Sequence, residues 1–158
     1  MIGYHIARAT GRGGQTLVEM LTVLTISGIL LGVAMIRLGS SSIFMAEAER
    51  VAYRLAADLR LARNQAVTEN KNHYLLFTKS GEFLVKYDIL RVEPDGDVQI
   101  ESTRFIDDDV QLTGANKSAE FAPDGSALKE YPYYINYPGG GYWVNVILAT
   151  GAVGVGEL

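Results

Sequence analysis

Gly14-Gln15-Thr16-Leu17-Val18-Glu19-Met20-Leu21-Thr22-Val23-Leu24 opens the stretch that decides how this 158-residue chain is organised. Residues 15–36 number 22, and Glu19 is the sole charged residue among them. Wound as an α-helix they would extend roughly 33 Å at about 1.5 Å per residue, against the ~30 Å hydrocarbon core of a bilayer. Residues 1–14 carry Arg8 and Arg12 and no acid. That bias keeps an N-terminus cytoplasmic and sends the downstream residues across the membrane.

On these residues alone, three readings stand side by side. A secretory signal would be cut after the apolar run, at small residues such as those of 39–42. An uncleaved anchor explains length and orientation equally well. Neither accounts for entry through Gly13-Gly14, nor for an acid one turn inside the run. An ionisable side chain at membrane depth costs ~2.5–3.5 kcal/mol or more, which marks Glu19 as a candidate functional residue. The bland alternative for Glu19 places it at the interface, leaving 20–36 as a short span; the third reading turns on the junction at Gly14.

The segment from Gly14 to Leu24 closely resembles the processing site of type IV prepilins and pseudopilins, matching at Gly14, Thr16, Leu17 and Glu19. The resemblance implies cleavage by a prepilin peptidase between Gly14 and Gln15, N-methylation of Gln15, and Thr16, Leu17 and Glu19 as assembly residues of the mature helix. Gln15 stands where the family usually has phenylalanine. Within a bundle of such helices the Glu19 carboxylate would neutralise the N-terminal amine of an adjacent subunit, so that each charge offsets the other's desolvation.

Beyond Arg37, Gly39-Ser40-Ser41-Ser42 is a candidate kink or weak point of the helix. Phe44, Ala48, Val51, Leu55, Leu59, Ala62 and Ala66 then recur every three or four residues, an apolar stripe suited to packing on a sheet. Glu47 with Arg50, and Arg54 with Asp58, are spaced for weak surface pairs on a solvated face. The helix is expected to end at 70–72. Leu55-Ala56-Ala57-Asp58-Leu59-Arg60-Leu61-Ala62-Arg63-Asn64-Gln65-Ala66 resembles the helix of the GspH/FimT group of minor pseudopilins and minor pilins.

After residue 72 the period changes to two. Phe83, Val85, Tyr87 and Ile89 alternate with Glu82, Leu84, Lys86 and Asp88; Val98 and Ile100, then Tyr133, Ile135 and Tyr137, then Tyr142, Val144, Val146 and Leu148 alternate in the same way. Ser80-Gly81, Asp95-Gly96 and Asp124-Gly125 are hairpin turn signals. The expected fold class is α+β: a long N-terminal helix packed on an antiparallel β domain of six to eight strands in two small sheets. The division is 1–14 leader, 15–38 transmembrane and filament-core helix, 39–72 amphipathic continuation, and 73–158 periplasmic β-rich domain. Phe121-Ala122-Pro123-Asp124-Gly125-Ser126-Ala127 and Ala149-Thr150-Gly151-Ala152-Val153 also resemble late strands of GspH-type domains.

Composition excludes several chemistries. Cysteine is absent, which removes disulfides, thiolate metal sites and cysteine nucleophiles. His5 lies in the leader and His73 stands alone, so sequence offers no histidine pair for acid–base work or a metal. Ser126 reads as a turn residue, and Asp107-Asp108-Asp109 as a solvated loop more readily than a calcium site. Gly139-Gly140-Gly141 lacks the Lys-Ser/Thr of a phosphate loop. Gly151, Gly154 and Gly156 leave no room for a dinucleotide helix and read as flexible loop or tail glycines. No enzyme activity, cofactor or metal is expected.

The absence of cysteines, and of the Asp-Pro-Trp-Gly type calcium loop, argues for a low-copy subunit over a major one. The resemblance thus implies a minor pseudopilin of a type II secretion system, held in the bacterial inner membrane by one helix and partnered there by other pseudopilins or pilins. The alternative is a FimT-like minor pilin of a type IV pilus or DNA-uptake filament. DNA binding leans on Lys and Arg contacts to phosphate. Loss of Arg8 and Arg12 with the leader takes the formal charge from −4 to −6, and Glu157 sits in the tail. DNA is therefore not an expected partner. In a gel-shift assay, residues 42–158 should form no tight, salt-sensitive complex with duplex DNA; such a complex would move the assignment to the FimT-like side.

Overall fold

The computed structural model describes residues 16–129 and 131–158, and the side chains of all of these except 36–41. Helix α1 (Leu17–Glu69) is followed by eight strands: β1 (His73–Ser80), β2 (Phe83–Arg91), β3 (Val98–Gln99), β4 (Arg104–Phe105), β5 (Gln111–Thr113), β6 (Tyr133–Tyr137), β7 (Gly140–Ile147) and β8 (Ala152–Glu157). The chain divides into two compact units, Met1–Gly39 and Ser40–Leu158. The helical assignment is continuous through 39–42, the segment expected to kink or weaken, and the division between units falls within it.

Within the second unit, α1 buries one face. Ala48, Val51, Leu55, Leu59, Ala62 and Ala66 of the expected stripe are all inaccessible or nearly so, joined by Ala52 and Ala56. Phe44 is only partly covered. Each fully buried leucine contributes about 1.5–3 kcal/mol relative to exposure, and the alanines let strands approach the helix closely. The helix ends as expected: Asn70 adopts φ +54°, and the Lys71 N–H reaches back to the Ala66 carbonyl at 3.3 Å. That closure satisfies one of the last turn's orphan carbonyls.

The strands form two antiparallel sheets. In the first, β1 pairs β2, whose other edge carries β3 and β4; the second has the order β5-β6-β7-β8. Their inner faces meet the helix stripe in one apolar core, with Leu75, Phe77, Leu84, Tyr87 and Ile89 from one sheet and Leu112, Tyr133, Ile135, Val144 and Val146 from the other. Phe77 links the sheets, its ring 5.2 Å from Tyr87 and 4.9 Å from Tyr133. The segment 116–121 seals the outer edge of β1: the His73 and Phe121 N–H groups each bond the other's carbonyl, and Ser118 donates to Leu75. Ala127 then bonds the Leu148 carbonyl, stitching this segment to the second sheet.

Four sequence expectations need correction. Phe83, Val85, Tyr87 and Ile89 do not share a face. A bulge pairs Thr78 with Lys86 but Lys79 with Leu84, so Val85 is the extra residue and the alternation changes phase there. Leu84 is buried and Phe83 is 37% exposed. Leu148, expected to continue the β7 alternation, lies past the strand and is exposed.

Of the six glycines expected to be flexible, four are strand residues, with Gly140 and Gly141 beginning β7 and Gly154 and Gly156 in β8, while Gly139 and Gly151 lie in turns. A Cβ at Gly156 would fall 2.5 Å from the Trp143 indole, so the ring requires glycine beneath it. Gly151 occupies the β7–β8 turn at φ +61°, with the Gly125 carbonyl against its Cα.

The fourth correction concerns Asp58. It does not pair with Arg54 on the surface but is buried beneath the first sheet, accepting a 2.6 Å hydrogen bond from the Tyr87 hydroxyl, with the Arg104 Nε 3.6 Å away. Burial and the Asp58 carboxylate together push the Tyr87 phenol far above its ordinary pKa, so it remains a donor. The expected Glu47–Arg50 pair forms, and Arg50 also reaches Asp107 at 2.5 Å.

Tyr87→Phe strips Asp58 of its nearest donor and should cost about 1–3 kcal/mol, seen as a lower urea midpoint. An unchanged midpoint would mean that Arg104 alone satisfies the carboxylate. The helix end carries a second ionic tie: Arg91 donates to Glu69 at 2.8 Å and Lys71 to Glu93 at 2.5 Å. The Arg91 hydrogen bond holds the Glu69 carboxyl below the usual 4.5, and Lys71 does the same for Glu93. Depressed carboxyls stabilise the fold above 4.5 and cease to as pH falls through their lowered values. The stability advantage of the wild type over Arg91→Met should therefore be present at neutral pH and shrink as pH falls below 4.5; a pH-independent gap would show that the arginine acts through packing.

Candidate functional site in the N-terminal helix

Thr16 precedes the first residue of α1, and its side-chain oxygen accepts from the Glu19 N–H at 3.3 Å while its carbonyl takes the Met20 N–H at 3.1 Å. It is therefore the N-cap, satisfying one of the donors that a helix start leaves open. Thr-Leu-Val-Glu is also the capping-box spacing, and Glu19 lies in the first turn, where a negative charge suits the helix dipole. Sequence reading assigned Thr16 and Glu19 to assembly and missed this local role, although the three-residue spacing announced it. The structure thus brings Thr16, Leu17 and Glu19 together in one turn. Gly14 and Gln15, the expected cleavage point, lie outside the described residues, as do His5, Arg8 and Arg12.

From Leu17 to Met35 the helix is apolar on every side, and among the described residues none of this stretch is buried. Leu17 is 85% exposed, and Leu21, Leu24, Ile29, Leu30 and Leu31 are all exposed. At about 1.5 Å per residue these 19 residues measure about 28 Å, a bilayer's hydrocarbon thickness. The hydroxyls inside the run are satisfied by the helix itself: Thr22 donates to the Glu19 carbonyl at 2.8 Å and Thr25 to the Leu21 carbonyl at 2.7 Å. A helix in lipid must meet its polar groups internally in this way. Gly28 and Gly32 fall one turn apart with nothing within 4 Å of either, a small-residue spacing that lets a second helix approach closely. The site can thus sit in lipid, present one carboxylate near its start, and pack against other helices.

The polar candidates of the second unit are held by local partners. His73 is fully buried, its Nδ1 2.9 Å from the Lys71 carbonyl and its Nε2 3.5 Å from Glu69. Ser126 turns both its N–H and its hydroxyl onto Asp124 Oδ1, at 2.9 and 2.6 Å, closing a turn. Asp107 is engaged by Arg50. Among the described residues no three His, Asp or Glu side chains come together as a metal site would require.

Comparison with known proteins places these observations. Residues 51–151 match the family model described as type II transport protein GspH, and residues 10–35 match the prokaryotic N-terminal methylation motif. No curated protein sequence matches the chain. Among solved structures, the fold is similar to the minor pseudopilin EpsH from the type 2 secretion system of Vibrio cholerae, with a TM-score of 0.58 and 13% identity over 70% of this chain and 97% of that one. It is also similar to the type IV minor pilin FimU of Pseudomonas aeruginosa, with a TM-score of 0.57 and 17% identity over 71% and 90% of the two chains. At these identities the structural likenesses speak to fold, and the model match over most of the chain speaks to family. The chain belongs to the GspH family of type II transport proteins.

Proposed function

We infer that the chain serves as a minor pseudopilin of a type II secretion system, a low-copy subunit near the tip of a periplasmic pseudopilus that helps export folded proteins. The observation that carries this reading is the GspH match over residues 51–151, joined to a methylation motif at 10–35. A type IV pilus or DNA-uptake filament is the second reading, favoured by the structural likeness to FimU; the family match and the acidic mature chain weigh toward secretion. The role is structural, and no catalytic step is assigned.

In this account residues 1–14 are the leader, removed after Gly14 by a prepilin peptidase that leaves N-methylated Gln15. Residues 15–38 wait in the bacterial inner membrane and then enter the filament core, 39–72 continue as an amphipathic helix, and 73–158 form the periplasmic domain. Glu19 supplies the reason to leave the bilayer. Alone in lipid its charge is costly, whereas in the bundle it neutralises the amine of a neighbouring subunit's residue 15. The exposed apolar sides and the Gly28/Gly32 spacing support packing against other pilin helices.

Glu19→Ala or Glu19→Val should leave leader removal intact and abolish recovery of the chain in sheared pseudopilus fractions. Normal incorporation of either variant would refute the pairing role, and failed leader removal would make Glu19 a processing determinant instead.

A further inference from the structure

The outer face of the second sheet, turned away from the core, carries aromatic rings that the secretion role does not use. The register aligns Thr113, Tyr134, Trp143 and Gly156 in one row across all four strands, with Gln111 and Asn136 in the next row. Tyr134 is 41% exposed, and Trp143 is half-buried. The indole owes its pose to the glycines beneath it: a Cβ at Gly156 would sit 2.5 Å from its Cε2 and Cζ2, and one at Gly154 would sit 3.2 Å from Cζ3. Trp143 therefore lies flat along the backbone of β8 with one ring face against the glycines. The side chain is half-buried, so part of the ring surface remains accessible.

Charge selects the ligand. These rows carry no Asp, Glu, Lys or Arg, in a chain where 20% of residues are charged. A single-stranded nucleic acid stacks on aromatic rings but also needs Lys or Arg along its phosphates. An anionic lipid surface or an acidic peptide would likewise find no counter-charge, since the charged groups bordering the Gln111/Asn136 end are the carboxylates of Asp108 and Asp109. An uncharged sugar chain fits both halves of the chemistry. The C–H faces of its pyranose rings bury against aromatic rings, and its hydroxyls meet the amides of Asn136 and Gln111 and the hydroxyls of Thr113 and Tyr134. A sheet row is also extended and shallow, suited to a linear polymer lying across it.

We propose that the Tyr134/Trp143 face of the β5-β6-β7-β8 sheet is a binding platform for an uncharged, linear glycan chain. Such a platform stands whichever filament the chain serves.

Trp143 is the sole tryptophan, so its fluorescence reads the site directly. The full chain, held in a detergent without sugar head groups, is titrated with N-acetylchitohexaose and with cellohexaose. At least one should produce a saturable change in emission. Tyr134→Ala should weaken the apparent Kd about tenfold or more, as loss of one stacking ring does. By calorimetry, Trp143→Ala should abolish the binding heat and Trp143→Phe should retain part of it, which separates loss of the ring from loss of the fold. No fluorescence change and no heat with either sugar up to ~10 mM would overturn the proposal. So would unaltered affinity in both alanine variants, or self-association that shields Trp143 while neither sugar binds.

Discussion

One helix has to satisfy two solvents, and the rest of the molecule follows from that constraint. Between Leu17 and Met35 its apolar residues point in every direction, and among the described residues none of them is buried. From Ala48 to Ala66 the same helix is one-sided, and its apolar face is fully buried. Neither half could trade places with the other. An all-round apolar helix has no surface to offer water, and a one-sided helix leaves its charged face unsolvated in lipid. The division of the chain at Gly39/Ser40 falls in the segment where one requirement gives way to the other.

The buried half is held by more than apolar area. Asp58 sits on the core face of α1, where a free carboxylate would be expensive, and Tyr87 and Arg104 meet it from the first sheet. An acid at that position fits the helix against one register of the sheet. At the helix end, the Schellman closure at Asn70 and the pairs Glu69–Arg91 and Lys71–Glu93 turn the chain into β1. On the other flank Arg60 and Arg63 hold the Val153 and Gly125 carbonyls at 2.9 Å each, tying α1 to β8 and to the turn at 124–126.

Period carried most of the sequence reading. The 3.6-residue recurrence of 48–66 and the alternations of 133–137 and 142–146 survive because each of those segments buries a single face throughout. Where an element departs from uniform burial, period misleads. The extra residue at Val85 reverses the phase of β2, and no local signal separates Leu84 from Phe83 as the inward residue. Asp58 looked solvated because its partners are 29 and 46 residues away in sequence. Gly154 and Gly156 looked like a flexible tail because glycine's usual meaning is freedom, whereas here it makes room for an indole. Strands β3, β4 and β5 are two or three residues long, too short to show any period. At the N-terminus the resemblance at 14–19 directs attention to assembly, and the ordinary capping role of Thr16 stands behind it unread.

An assembly role for the N-terminal helix turns on where the chain is cut. A secretory signal is removed after the apolar run, an ordinary anchor is never removed, and a pilin-type subunit keeps the run and loses only what precedes it. Terminal sequencing and intact mass of the protein isolated from membranes distinguish the three directly. The expected species spans residues 15–158 and bears a methyl group on the amine of Gln15. A chain that retains residues 1–14, or one that begins beyond residue 36, would contradict the view of this helix as an assembly element.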